Sequence, residues 1–187
     1  MKRLISTTLF CLLTISAFAQ KVTEGDVWPV FSEQYLNVTF DFSKTVIDGV
    51  PESTLLNIGG ERAKDWSRDK SELCSKFMLA MYEEIKELVE VGNHPEAAFT
   101  LSFIPTAFDD DGDVHGSATI TDKKGNIVAI ISGVDGDAGR WGAFTNLCGD
   151  AMISAGRSLG SCLWFEYNKV IKQQKREANK AVRQRNK

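Results

Sequence analysis

Histidine is scarce in this chain. His94 and His115 are the only two in 187 residues, so the common histidine-rich metal centres cannot be assembled. Cysteine is scarce as well: there are four, and none form a Cys-x-x-Cys pair, which speaks against zinc-ribbon and thioredoxin-type redox chemistry. The phosphate-loop pattern Gly-x-x-x-x-Gly-Lys-Ser/Thr is missing, and so is the Gly-x-Ser-x-Gly elbow of serine hydrolases. No segment after the N-terminus approaches the roughly 18 uncharged apolar residues that a membrane-spanning helix needs. Net charge is small, −3 from 22 Lys+Arg and 25 Asp+Glu, so the chain as a whole lacks the basic signature of a nucleic-acid binder. What remains is an ordinary globular composition, 43% hydrophobic and 25% charged, which excludes full-length disorder.

The first segment, MKRLISTTLFCLLTISAFAQ, reads as a secretory signal peptide. Lys2 and Arg3 supply the positive start, an apolar stretch follows, and Ala17-Phe18-Ala19 offers the small-x-small cleavage site. The apolar stretch is too short to span about 30 Å of hydrocarbon. Cys11 is preceded by bulky Phe10, which argues against lipidation there. Residues 1–19 are thus expected to be an export signal, residues 20–168 a single domain, and residues 169–187 a basic extension, helical or disordered. The exported chain keeps Cys74, Cys148 and Cys162. An odd count leaves at least one thiol unpaired, with either a bridge from Cys74 or three buried thiols open.

Residues 21–33 lack periodicity and read as an extended lead-in. Residues 35–42 alternate, with Leu36, Val38, Phe40 and Phe42 on one side and Asn37, Thr39 and Asp41 on the other, as in a half-buried strand. Residues 44–60 read as a connection, part of which, at 46–48, prolongs that strand. Trp66, Leu73, Phe77, Met81, Ile85 and Leu88 recur at helical spacing and predict a helix over 61–91, closed by Gly92 and Pro95. Strands are expected at 97–108, 114–121 and 126–132, the last two joined by a turn through Gly125. A final helix is expected from Asp137, with an apolar stripe beginning at Trp141. The element order β-α-β-β-β-α, with one polar face on each clean strand, implies an α+β fold. The expected form is a two-layer sandwich: a mostly antiparallel sheet of about four strands with two helices on one face.

The open face of that sheet would carry Asn37, Thr39, Thr100, Ser102, Thr119 and Thr121, a candidate binding face. The run Asp109-Asp110-Asp111-Gly112-Asp113 is not an EF-hand, because Val114 stands at the glycine position and Ile120 at the bidentate acid. It leaves a weak cation site at Asp109, Asp111 and Asp113. His115 is a general base only if Asp113 orients it, and no nucleophile stands at a recognisable spacing. Residues 133–140 are Gly-rich before a helix and could hold an anion on backbone amides, but Asp135 and Asp137 oppose this, and the segment reads as an ordinary strand-to-helix turn. Gly156 and Gly160 point to close packing of the last helix on the sheet. Asn37-Val38-Thr39 is a glycosylation sequon only in a eukaryotic export pathway.

The tail carries the sharpest signal. Residues 169–187 hold eight basic side chains and one acid, a charge of +7, whereas residues 20–168 sum to −12. Lys169, Lys172, Lys175, Arg176, Lys180, Arg183 and Arg185 could meet anionic lipid headgroups, nucleic acid or an acidic partner, or fold back on the acidic domain.

The export signal ending in Ala19-Gln20, the strand Val38-Thr39-Phe40-Asp41-Phe42-Ser43-Lys44 and the helix segment Ala155-Gly156-Arg157-Ser158-Leu159-Gly160 resemble a group of uncharacterised small secreted proteins of gram-negative gut bacteria. The resemblance implies an envelope or secreted location and an α/β fold, and supplies no known activity or catalytic residues. In element order the chain is also similar to the small α/β domains of TolB-type and CsgG-type envelope proteins. The expected function is a non-enzymatic, periplasmic or secreted binding module without a cofactor. Its partner would be a protein or an anionic envelope surface, and not a specific nucleic acid. The alternatives are a cation-dependent hydrolase built on the 109–113 turn and His115, and a carrier of a small apolar ligand.

Overall fold

The computed structural model describes residues 20–185. The expected signal peptide with Cys11, and Lys187 of the tail, lie outside the described residues. Eight strands form one sheet: β1 (Lys21–Gly25), β2 (Tyr35–Phe40), β3 (Val46–Ile47), β4 (Val50–Pro51), β5 (Glu90–Gly92), β6 (Phe99–Phe108), β7 (Val114–Asp122) and β8 (Ile127–Ser132). Three α-helices accompany it among the described residues: α1 (Glu52–Ile58), α2 (Glu61–Ile85) and α3 (Phe144–Arg185). The main path runs β1-β8-β7-β6-β2-β5, with β3 paired to both β4 and β6.

The expectation of a four-strand, mostly antiparallel sandwich is therefore overturned. The sheet is larger and mixed, although the fold remains α+β. Strands β2 and β6 run parallel, as do β2 and β5, and β3 and β6. The other pairs are antiparallel. The additional strands escape detection for physical reasons. Strands β4 and β5 span two or three residues, too few to show a period of two, while β3 falls on the stretch at 46–48 expected to prolong the first strand and pairs instead as a separate strand with β4 and β6. β1 is an exposed edge strand with no buried face to imprint alternation. Its pairing with β8 nevertheless orders the expected lead-in. One short-range signal was present: Asp48-Gly49, both at positive φ, closes the β3–β4 hairpin as a two-residue turn.

The long helix of the sequence reading stops at Ile85, and the chain turns back through Leu88 so that β5 can pair with β2. The core is a single cluster between the helices and one face of the sheet. Phe77 of α2 stacks on Phe103 of β6 at 4.4 Å, with Phe40 edge-on to both. Trp66 packs edge-on against Phe108 and Phe42. Its indole Nε1 donates to Glu52 Oε1 at 2.8 Å, and Lys70 Nζ donates to the same oxygen at 2.6 Å. The buried Glu52 carboxylate thus ties α1 to α2 with its charge compensated.

Helix α3 crosses α2, and Gly156 and Gly160 make this possible. A Cβ at Gly156 would strike the Phe77 carbonyl oxygen, and one at Gly160 would lie 2.9 Å from the Met81 carbonyl oxygen. The glycines therefore serve helix–helix contact, and the expected helix–sheet packing is corrected. Replacing Gly156 with Val should force α3 off α2 and lower stability by about 1–3 kcal/mol. For a domain of this size that is a fall in Tm of roughly 3–10 °C, measurable by thermal circular dichroism. Ser161→Ala, on an exposed position of the same helix, should leave Tm nearly unchanged.

Candidate functional site

Strand register brings the predicted polar face together. Thr39 on β2 pairs with Ser102 on β6, which pairs with Thr119 on β7. One row along, Asn37 pairs with Thr100, and Thr100 with Thr121. Leu36, Val38, Leu101, Phe103, Ala118 and Ile120, their alternating neighbours, are buried beneath the helices. The period of two thus sorts the hydroxyls onto the face away from the core.

These six positions are not equivalent. Thr39 is exposed, and Thr100, Ser102, Thr119 and Thr121 are half-buried. Asn37 is buried and structurally committed: its Nδ2 donates to Thr100 Oγ1 at 3.2 Å, and its Oδ1 accepts from the His94 backbone N–H at 3.0 Å. His94 lies beside Tyr35, ring centroids 4.7 Å apart. Asn37 therefore clamps the loop after β5 and leaves the accessible set. Ser117 and Ser132 pair directly and extend the hydroxyl band, and the Thr23 hydroxyl lies 3.1 Å from that of Ser132. Sequence reasoning missed these three. Ser117 was detectable, two residues before Thr119 on the same strand; Ser132 and Thr23 depend on the β1–β8 pairing.

The acidic turn has another use. Asp109 Oδ1 accepts the backbone N–H groups of Asp111 at 3.1 Å and Asp113 at 2.9 Å, closing the β6–β7 turn on itself. Asp113 Oδ1 accepts the Ala138 N–H at 2.6 Å and pins the loop before α3. Asp111 is exposed. Asp109, Asp111 and Asp113 do not converge, and no group of three or more His, Cys, Asp or Glu side chains is placed to hold a metal among the described residues. His115 Nδ1 faces Asp135 Oδ1 at 3.2 Å, so Asp135, and not Asp113, orients it.

The Gly-rich loop is likewise occupied by its own fold. The amides of Val134 and Gly136 donate to Gly116 and Val114 carbonyls, Asp137 N–H to Ser154 Oγ, and Ala138 N–H to Asp113. Helix α3 begins at Phe144, seven residues later than Asp137, so Asp137 is not its N-cap. Trp141 lies before the helix and is 91% exposed instead of on its apolar stripe. The loop amides are thus committed within the fold, and the last helix starts later than the expected Asp137. A groove of about 800 Å³ beside this loop is lined by Glu84, Asp137 and Asp150 against a single cation, Arg157.

A narrower cleft of about 410 Å³ lies at the end of the core. Ile47, Leu55, Trp66 and Phe144 line it, with Glu61 and Asp65 at its edge. At the opposite end of α3, the predicted tail residues Lys169, Lys172, Lys175, Arg176, Lys180, Arg183 and Arg185 continue the helix as exposed positions. No helix among the described residues is long and apolar enough to cross a membrane.

Compared with known proteins, the chain matches no family model and no curated protein sequence. Among solved structures it is similar to the PelC dodecamer from Paraburkholderia phytofirmans, with 9% identity, 74% of this chain and 95% of that chain covered, and a TM-score of 0.40. A point variant of the same dodecamer gives 12% identity, 75% and 96% coverage, and a TM-score of 0.39. At these TM-scores the likeness carries no argument.

Cys74 and Cys162 are free thiols, so the bridge from Cys74 is not made. Burial pushes the Cys74 thiol up to about 11, and burial together with Glu166 raises Cys162. At pH 8 the Cys74 thiolate fraction falls about a hundredfold, offset in part by greater nucleophilicity, so alkylation by iodoacetamide should be about tenfold slower than for a model thiol. Mass-spectrometric labelling before and after denaturation in urea checks this. Equal rates in the two states would refute the shielding.

Proposed function

We propose that the chain is an exported, non-enzymatic binding module of the cell envelope that holds a protein partner against its open sheet face. The observation that supports this reading is the hydroxyl band Thr39–Ser102–Thr119, continued by Thr100, Thr121 and Ser117. Each hydroxyl both donates and accepts, so the band can match peptide groups of either polarity. The threonine side chains are stiff at χ1 and lose little rotamer freedom when covered. The signal peptide reading supplies the location. Capture from an envelope extract tests the proposal, comparing residues 20–187 with a Ser102→Glu, Thr119→Lys variant. The two new charges lie directly opposite and support each other, so the sheet should stay folded. Capture of the partner should drop at least tenfold with Tm held within about 2 °C. Undiminished capture by the variant would rule the face out.

A second reading, carriage of a small apolar ligand, is favoured by the cleft at Ile47, Leu55, Trp66 and Phe144, whose volume lies in the range of ligand sites. A medium-chain fatty acid should then shift tryptophan emission in a saturable way, and Leu55→Trp, filling the cleft, should abolish saturation. An unsaturable response would dismiss it.

A further inference from the structure

Helix α3 runs unbroken from Phe144 to Arg185, and this turns the basic tail from a charge total into a surface. Phe165, Lys169, Lys172, Arg176, Lys180 and Arg183 follow one another at steps of four, three, four, four and three residues. On a continuous helix those steps form one stripe along one side. Trp164 and Lys175 adjoin it. The helix side that meets the body is a different one. It carries Leu163, which is fully buried, and Tyr167, which stacks on Trp28 at 5.7 Å and meets Phe31 edge-on at 5.3 Å.

Trp164 and Phe165 are left 49% and 63% exposed where the stripe begins. Together with Asn168, Lys169, Lys172 and Arg176 they border a shallow hollow of about 190 Å³. Glu177, the tail's only acid, accepts from Gln173 Nε2 at 3.0 Å and lies three residues before Lys180, at the edge of the stripe. Lys169 is partly compensated by Glu166 at 3.0 Å. Lys172, Arg176 and Arg183 have no acidic residue three or four positions away along the helix.

We propose that this face of α3 docks on an anionic phospholipid surface, with Trp164 and Phe165 at headgroup depth and the basic stripe on the phosphates. Charge complementarity sets the orientation. The body, residues 20–168, carries −12 and is repelled by such a surface, while the tail at the far end of α3 is attracted. The aromatics favour lipid over other polyanions, because a tryptophan and a phenylalanine side by side gain most at the boundary between headgroups and acyl chains. The site is separate from the sheet face and does not depend on a partner there.

The test is sedimentation of residues 20–187 with vesicles of phosphatidylcholine containing about one part in three of phosphatidylglycerol, against pure phosphatidylcholine. Binding to the anionic vesicles alone is expected, with a blue shift of tryptophan emission and release at high salt. Lys172→Glu with Arg176→Glu should weaken it at least tenfold. Trp164→Ala with Phe165→Ala should weaken it several-fold and remove the blue shift. All four positions are exposed, and unchanged helicity by circular dichroism keeps the comparison valid. Equal partition onto both vesicle types, or full binding by both variants, overturns the proposal. So does capture of duplex DNA or an acidic polypeptide by a chain that ignores the vesicles.

Discussion

Phe77 joins the three parts of this molecule. Its ring lies flat on Phe103 of the central strand β6, and its carbonyl oxygen is where Gly156 lets α3 come in. One residue of α2 thus receives the sheet on its side chain and the second helix on its backbone. Moving it shifts both contacts at once, because a close-packed interior has no slack to absorb a displaced ring. Strand β6 is the matching hub in the sheet, paired to β7, β2 and β3. It tolerates Pro105 by a register shift between Pro105 and Ala107, and the Thr45 hydroxyl bonds the Pro105 carbonyl at 2.7 Å.

A second theme is how the acidic side chains are used. Asp109 and Asp113 take up backbone amides, Asp122 holds the Lys124 and Asn126 amides of the β7–β8 turn, and Glu52 receives Trp66 and Lys70. A carboxylate bonded to several N–H groups is stabilised in its charged form; the Asn126 side-chain amide, at 2.8 Å, and then the Asn126 and Lys124 backbone amides hold the Asp122 carboxyl below its usual range. Acids spent on turns in this way are not aimed at a common point, which is why a dense acidic run yields no metal cage. The remaining negative charge lies on the body, opposite in sign to the tail of α3. The molecule is polar along its length, with a hydroxyl-bearing sheet at one place and a cationic helix at another.

Much of the layout was legible in local pattern. The alternation of residues 35–40, 99–103 and 114–121 placed the core side and the hydroxyl side of three strands, because a half-buried strand must obey a period of two. The stripe through Trp66, Phe77 and Ile85 located α2. Elements without a buried face, or too short to repeat one, left no such mark, and this concealed β1, β4, β5 and α1. The end of α2 was misplaced because Leu88 keeps the helical spacing while the chain is already turning into β5. Asn37 looked like one more polar residue of the open face, and only the neighbouring loop shows it to be a buried clamp.

The sequence by itself determined the signs and the faces: an apolar side and a hydroxyl side to the main strands, an acidic body, and a basic end. These follow from one-dimensional periodicity and charge, which need no partner to be read. The tertiary structure alone decided register, sheet size and the fate of each polar group. Which hydroxyl stands beside which, whether an aspartate meets an amide or a cation, and which side of α3 is left to solvent all depend on contacts between residues far apart in the chain. Such contacts leave no trace in local spacing, because the energy that selects them arises only when distant segments bury each other.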